Sequence, residues 1–206
     1  MLFNFSAHFV DQFTALNVFR YITFRTGGAM LTALIVSFVC GPYIIRLLKS
    51  YQTEGQPIRE DGPEGHILTK AGTPTMGGFM ILLALVLATL LWADLRNGYI
   101  WAVLVVTVAF GLIGFFDDYA KVSLNNSKGI PGKLKLLLQM VFALAATIWI
   151  MSLTSSPLAT SLALPFFKSV LIDLGWFFVV FGILVIVGAS NAVNLTDGLD
   201  GLRSEE

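Results

Sequence analysis

The sequence predicts an all-α polytopic membrane protein of about five transmembrane helices, with its N-terminus outside and its C-terminus in the cytoplasm. Three observations carry that expectation. Of 206 residues, 56% are hydrophobic and only 13% are charged, against about 25% charged in soluble domains. The mean hydropathy is +0.78, which leaves too much apolar surface for one soluble core to hide. The apolar residues also gather into runs near the roughly 20 residues that cross a bilayer. Lipid is the expected solvent.

The elements follow in order. Phe3, Phe5, Phe9, Phe13, Leu16 and Phe19 stand amid polar residues ahead of the first span, the pattern of an interfacial helix. Spans are expected at about Thr26–Leu48, Met76–Ala93, Tyr99–Phe116, Leu134–Leu153 and Leu171–Ser190. Spans two and three are joined by the polar turn Asp94-Leu95-Arg96-Asn97-Gly98. Between spans four and five, Ser155–Lys168 carries Pro157 and Pro165, so a structured outer loop is expected there rather than helix.

Direction comes from the basic residues. Arg46, Lys49, Arg59 and Lys70 lie in or beside the first connection, Lys121, Lys128, Lys133 and Lys135 in or beside the third, and Arg203 near the end. These nine stand against four on the other side, Arg20, Arg25, Arg96 and Lys168. The positive-inside rule therefore puts loops at about 49–75 and 117–133 in the cytoplasm. Residues 1–206 read as a single membrane domain without internal repeats. The net charge of zero excludes nothing about partners beyond giving no reason to expect nucleic acid. The lone Cys40 reads as a small core residue, and His8 and His66 lack metal-ligand spacing. No basic stretch opens the chain and Asp11 stands early, so no cleaved signal segment is expected.

This direction gathers three polar patches at one membrane face. One is Ile58–His66, with Arg59, Glu60, Asp61, Gly62, Pro63, Glu64 and Gly65 between, followed by Lys70–Gly78. Lys70, Thr75 and a glycine-rich backbone stiffened by Pro74 make a reasonable phosphate cradle, though not a Walker A loop, and a plain turn into span two explains them equally well. His66 reads as a loop residue. The second patch is Asp117-Asp118 with Lys121, closing span three. Two carboxylates against the negative end of a helix dipole need a cation. Lys121 can supply it if the helix continues; a magnesium ion held by one or two carboxylates and substrate phosphates is the stronger candidate. Lys128, Lys133 and Lys135 would draw in an anionic substrate or lipid, or simply snorkel.

The third patch, Asn191–Leu202, contains Asn191, Asn194, Thr196, Asp197, Gly198, Asp200 and Gly201 directly after an apolar run. Acids at a membrane edge are costly unless paired, so they read as functional. The asparagine amides suit reading a base or sugar, and the glycines suggest an irregular loop. Capping and turn roles explain one or two of these residues, not all of them.

Together, Lys70–Gly78, Asp117-Asp118 and Asn191–Leu202 closely resemble the polyprenyl-phosphate sugar-1-phosphate transferases, and within them the phospho-N-acetylmuramoyl-pentapeptide-transferases of bacterial lipid I synthesis. The resemblance runs from roughly Asn17 to Leu202. It implies transfer from UDP-N-acetylmuramoyl-pentapeptide to undecaprenyl phosphate with Mg2+, releasing UMP at the cytoplasmic face of the inner membrane. By the family pattern, Asp117 and Asp118 are the catalytic pair, Asp117 activating the attacking phosphate. Asp200 would read uracil. Lys70, Thr75, Asn194, Asp197, Lys121 and Lys133 would bind substrate, and Asp117, Asp118 and Asp197 are the metal candidates.

Relatives run on through more spans, carrying a principal magnesium-ligating aspartate and a histidine-rich loop, where this sequence ends in Arg203-Ser204-Glu205-Glu206. The expectation from sequence is a truncated chain, inactive as it stands. The rivals are a sibling N-acetylglucosamine-1-phosphate transferase and a non-catalytic remnant. A transporter would need polar groups at the membrane midplane, where Gln139 stands nearly alone. The sequence is silent on oligomeric state, a homodimer included.

Overall fold

In the computed structural model, the described residues are 1–51, 77–123, 129–155, 158–164 and 167–198. They are predominantly helical, and they divide into two compact units, Met1–Pro131 and Gly132–Glu206.

The first unit opens with helix α1 (Leu2–Phe9) and a 3-10 helix, Thr14–Arg20. Three longer helices follow: α2 (Ile22–Tyr51), α3 (Gly78–Trp92) and α4 (Gly98–Ser123). The aromatic-rich start packs onto this unit. The Arg25 guanidinium lies over the Phe3 ring, 4.3 Å from its centroid, and Phe19 stacks on Trp92 at 5.8 Å. With no hydrophobic drive between helices in lipid, close association needs small residues at the contacts. Gly28 lies against the Trp92 indole, whose Nε1–H donates to Thr32 Oγ1 at 2.8 Å, and Gly41 lies against Met80. These pairs run in opposite directions, so α2 and α3 are antiparallel. Gly111 of α4 similarly receives Leu82 of α3, and Phe79 meets Phe115 at 5.7 Å.

The second unit is an antiparallel pair, α5 (Gly132–Leu153) and α6 (Phe177–Gly198), joined through a short 3-10 turn and a two-stranded hairpin, β1 (Ser161–Leu164) and β2 (Phe167–Asp173). The structured loop expected between spans four and five is this hairpin. It displaces the expected start of the fifth span from Leu171 to Phe177. Two local causes are visible. Asp173 Oδ1 accepts from the Thr160 hydroxyl at 2.6 Å and from the Gly175 N–H at 2.9 Å. Gly175 itself takes φ +50, a left-handed conformation that glycine adopts without strain.

Four helices are long and apolar enough to cross a membrane: Ile22–Tyr51, Gly98–Ser123, Gly132–Leu153 and Phe177–Asn194. The fifth expected span is α3, 15 residues of helix, whose preceding Gly77 is also helical at φ −56 and ψ −28; Met76 lies outside the described residues. Their outward surfaces are apolar: Phe38 is 73% and Val39 71% exposed. A patch of that kind in water would be an aggregation site; in lipid it is the expected exterior.

Two expected helix ends move. Span three continues beyond Phe116 to Ser123, so Asp117 and Asp118 lie within α4 rather than at its close, and the cytoplasmic loop expected from 117 begins later. Span five runs past Ser190 to Gly198, so Asn191 to Gly198 is helix rather than an irregular loop. A glycine costs a helix only about 1 kcal/mol, which the established hydrogen-bond ladder absorbs.

Candidate active site on the last turns of α4

Ala109, Ile113 and Asp117 are all buried and recur every four residues on α4, so Asp117 extends an apolar stripe with a carboxylate. Burying that charge requires partners. Lys121 Nζ lies 2.9 Å from Asp117 Oδ2 and 3.0 Å from Asp118 Oδ1. These are the i,i+4 and i,i+3 pairs that a continuing helix brings to one face, which is why the extension of α4 to Ser123 matters. The other oxygen, Asp117 Oδ1, accepts the Ile130 N–H at 2.9 Å.

The chain can approach so closely because residue 129 is glycine. Gly129 has φ +58, and a Cβ there would sit 2.5 Å from Asp117 Oδ1 and 2.9 Å from Lys121 Cε. The patch thus holds a buried carboxylate fixed through both oxygens, a second and more exposed carboxylate, and one shared ammonium. Two negative charges against one leave a net charge of −1 beside the negative end of a helix dipole. That donor set suits a hard divalent cation such as magnesium, which takes one or two carboxylates and completes its shell with water and phosphate oxygens. Among the described residues, no cluster of three or more His, Cys, Asp or Glu side chains forms.

Of the residues singled out from sequence, the structure brings together Asp117, Asp118 and Lys121. Lys133 lies in the first turn of α5, and Asn194 is exposed near the end of α6. Asp197 lies on the helical backbone of α6, its side chain outside the described residues; Lys70, Thr75 and Asp200 lie outside them entirely. Sequence reasoning missed Gly129 and Ile130. The available signal was a glycine directly before Ile130-Pro131, in a loop that had to turn back toward span four. It also missed the partnership of Gln139 with Asn191, whose side-chain amides bond at 2.8 Å.

Residues 100–206 match the family described as Glycosyl transferase family 4. The chain belongs to glycosyl transferase family 4. Both α4 with its aspartate pair and the whole of the second unit fall inside the match. Residues 70–82 match the phospho-N-acetylmuramoyl-pentapeptide-transferase signature 1, which covers Lys70 and Thr75. This glycosyl transferase family 4 chain is also 62% identical, over 202 residues, to a phospho-N-acetylmuramoyl-pentapeptide-transferase of Granulibacter bethesdensis. The aligned region takes in 98% of this chain and 56% of that relative, so the chain spans little more than half the relative's length.

Proposed function

We propose that this chain belongs to an enzyme that transfers phospho-N-acetylmuramoyl-pentapeptide from its UDP derivative to undecaprenyl phosphate, giving lipid I and UMP in peptidoglycan synthesis. The observation that carries the reading is the 62% identity to a transferase of that name across 98% of the chain. The signature at 70–82 supports it. The apolar helices support a bacterial inner-membrane setting, and the excess of basic residues in the first and third connections supports a cytoplasmic active face.

The chemistry suits the α4 patch. An oxygen of the lipid phosphate forms a new P–O bond to the sugar-bound phosphorus of the UDP-sugar. The P–O bond to the uridylyl phosphate breaks, and its electron pair leaves with UMP. Phosphoryl transfer is mostly positioning plus neutralisation of charge. Lys121 supplies a cation within reach of anionic oxygens. Asp117, fixed by Ile130 and Lys121, is placed to accept a proton from the attacking phosphate if that group arrives protonated. Asp117 and Asp118 would hold magnesium, whose contribution is to neutralise phosphate charge; Asp197 is a further candidate ligand. Lys70, Thr75, Asn194, Asp197, Asp200 and Lys133 are assigned to substrate, Asp200 to the uracil.

The test is the choice of UDP-sugar. Full-length protein in detergent with undecaprenyl phosphate and magnesium is expected to release UMP from UDP-N-acetylmuramoyl-pentapeptide and not from UDP-N-acetylglucosamine. The opposite preference would assign the chain to the sibling transferase.

A further inference from the structure

Gln139 has no role in the transfer as described above, yet it is a polar side chain within a membrane-spanning helix and only 4% exposed. An amide there is costly unless bonded, because hydrocarbon offers no water as a substitute. Its Oε1 accepts from Asn191 Nδ2 at 2.8 Å, and the same Nδ2 donates to Val187 O at 2.9 Å. Both Asn191 amide hydrogens are therefore committed, one within α6 and one across to α5. A second contact joins the same helices: Gly182 lies so close to Thr147 that a Cβ would meet its Cγ2 at 2.7 Å. From Thr147 back to Gln139 is about 12 Å of α5, and from Gly182 on to Asn191 about 13 Å of α6, at 1.5 Å per residue. The two contacts are thus in register on antiparallel helices, and a helix held at two places along its length cannot roll freely.

We infer that Gln139 is a positioning residue that sets the rotation of the last turns of α6 and so the placement of Asn194. The geometric part is independent of function; its effect on substrate rests on the assignment of Asn194 to the UDP-sugar. Asn194 follows Asn191 by three residues and is its neighbour on the helix surface. A roll of about 20° moves a side-chain tip roughly 5–6 Å from the axis by about 2 Å. Misplacement by about 1 Å can cost about a hundredfold in rate. Single interhelical hydrogen bonds contribute modestly to membrane-protein stability, so losing this one should leave the fold intact.

The experiment uses full-length protein carrying Gln139→Leu or Gln139→Glu. The first removes the acceptor; the second keeps a carbonyl-type oxygen at the same reach whether or not it is protonated. Gln139→Leu is expected to raise KM for the UDP-sugar about tenfold while KM for undecaprenyl phosphate and Tm stay as in the unmodified protein. Gln139→Glu is expected to restore the UDP-sugar KM. An unchanged UDP-sugar KM in Gln139→Leu, or equal changes in both KM values together with a fall in Tm, would overturn the inference. A readout without turnover accompanies it: a spin label at position 194, in a protein with Cys40 and any other cysteine replaced, should gain mobility in Gln139→Leu and not in Gln139→Glu. Unchanged mobility overturns the inference. If the unmodified protein releases no UMP from the UDP-sugar, the proposed function fails, and the spin label alone decides whether Gln139 holds the helix.

Discussion

Asp117 Oδ1 accepts the backbone N–H of Ile130 at 2.9 Å, across 13 residues of sequence. The carboxylate most central to the proposed chemistry is thus oriented by backbone, on a loop that can come close only because Gly129 precedes Ile130. A backbone donor cannot swing away as a long side chain does, so one Asp117 oxygen is fixed while the other exchanges between Lys121 and an incoming cation or phosphate.

Gly129→Ala should therefore impair turnover. The left-handed backbone costs a non-glycine residue about 1–2 kcal/mol, and the added methyl would lie 2.5 Å from Asp117 Oδ1. The loop must move and carry the Ile130 N–H with it. A fall in kcat of at least about tenfold is expected, a tenfold change corresponding to roughly 1.4 kcal/mol. Steady-state UMP release measures it, and an unaltered kcat would show that the Ile130 contact does not matter to the reaction.

Lys121→Ala leaves two adjacent carboxylates without their shared cation. Charge-assisted hydrogen bonds contribute about 1.5–3 kcal/mol each, so turnover should drop about tenfold to a hundredfold. Raising the magnesium concentration should recover part of the loss if a divalent ion can take over the neutralisation. A titration of rate against magnesium in both proteins checks this.

Much of the architecture was legible in the sequence, and the errors share a physical cause. Apolar run length located every long helix, because lipid burial leaves little choice of conformation for such a run. It misplaced ends at Phe116, Leu171 and Ser190, since hydropathy marks where lipid stops and not where the backbone ladder stops. Asp117, Asp118 and Lys121 were legible because their spacing is local to one helix. Gly129 and Gln139 were not, because what they do depends on residues 12 and 52 positions away in sequence, and no local pattern records such pairings.

The packing of α2 on α3 offers an internally controlled test. Gly28 lies against the Trp92 ring, whereas nothing stands within 4 Å of a Cβ at Gly27. Gly28→Val should destabilise by about 1–3 kcal/mol, as overpacking does, and Gly27→Val should be close to neutral. Thermal unfolding in detergent compares the two variants, and equal effects would contradict the close approach of Trp92.

The hairpin between α5 and α6 should loosen in acid. The Thr160 hydroxyl, and after it the Gly175 N–H, hold the Asp173 carboxyl below its ordinary range. Because its folded pKa lies below the unfolded one, the turn's added stability is fully present above the unfolded value and is lost as pH falls through the folded value. Amide exchange at 161–173, corrected for its intrinsic pH dependence, should show protection falling below about pH 4. Thr160→Val should move that loss to higher pH. A flat profile would contradict the assignment.

The central claim is that the aspartate pair on α4 runs the transfer while the UDP-sugar is held elsewhere in the site. Asp117→Asn preserves shape and removes the charge. Binding of UDP-N-acetylmuramoyl-pentapeptide and UMP release are measured together on full-length protein. The account predicts UDP-sugar affinity close to that of the unmodified protein with turnover abolished. Normal turnover in Asp117→Asn would contradict it.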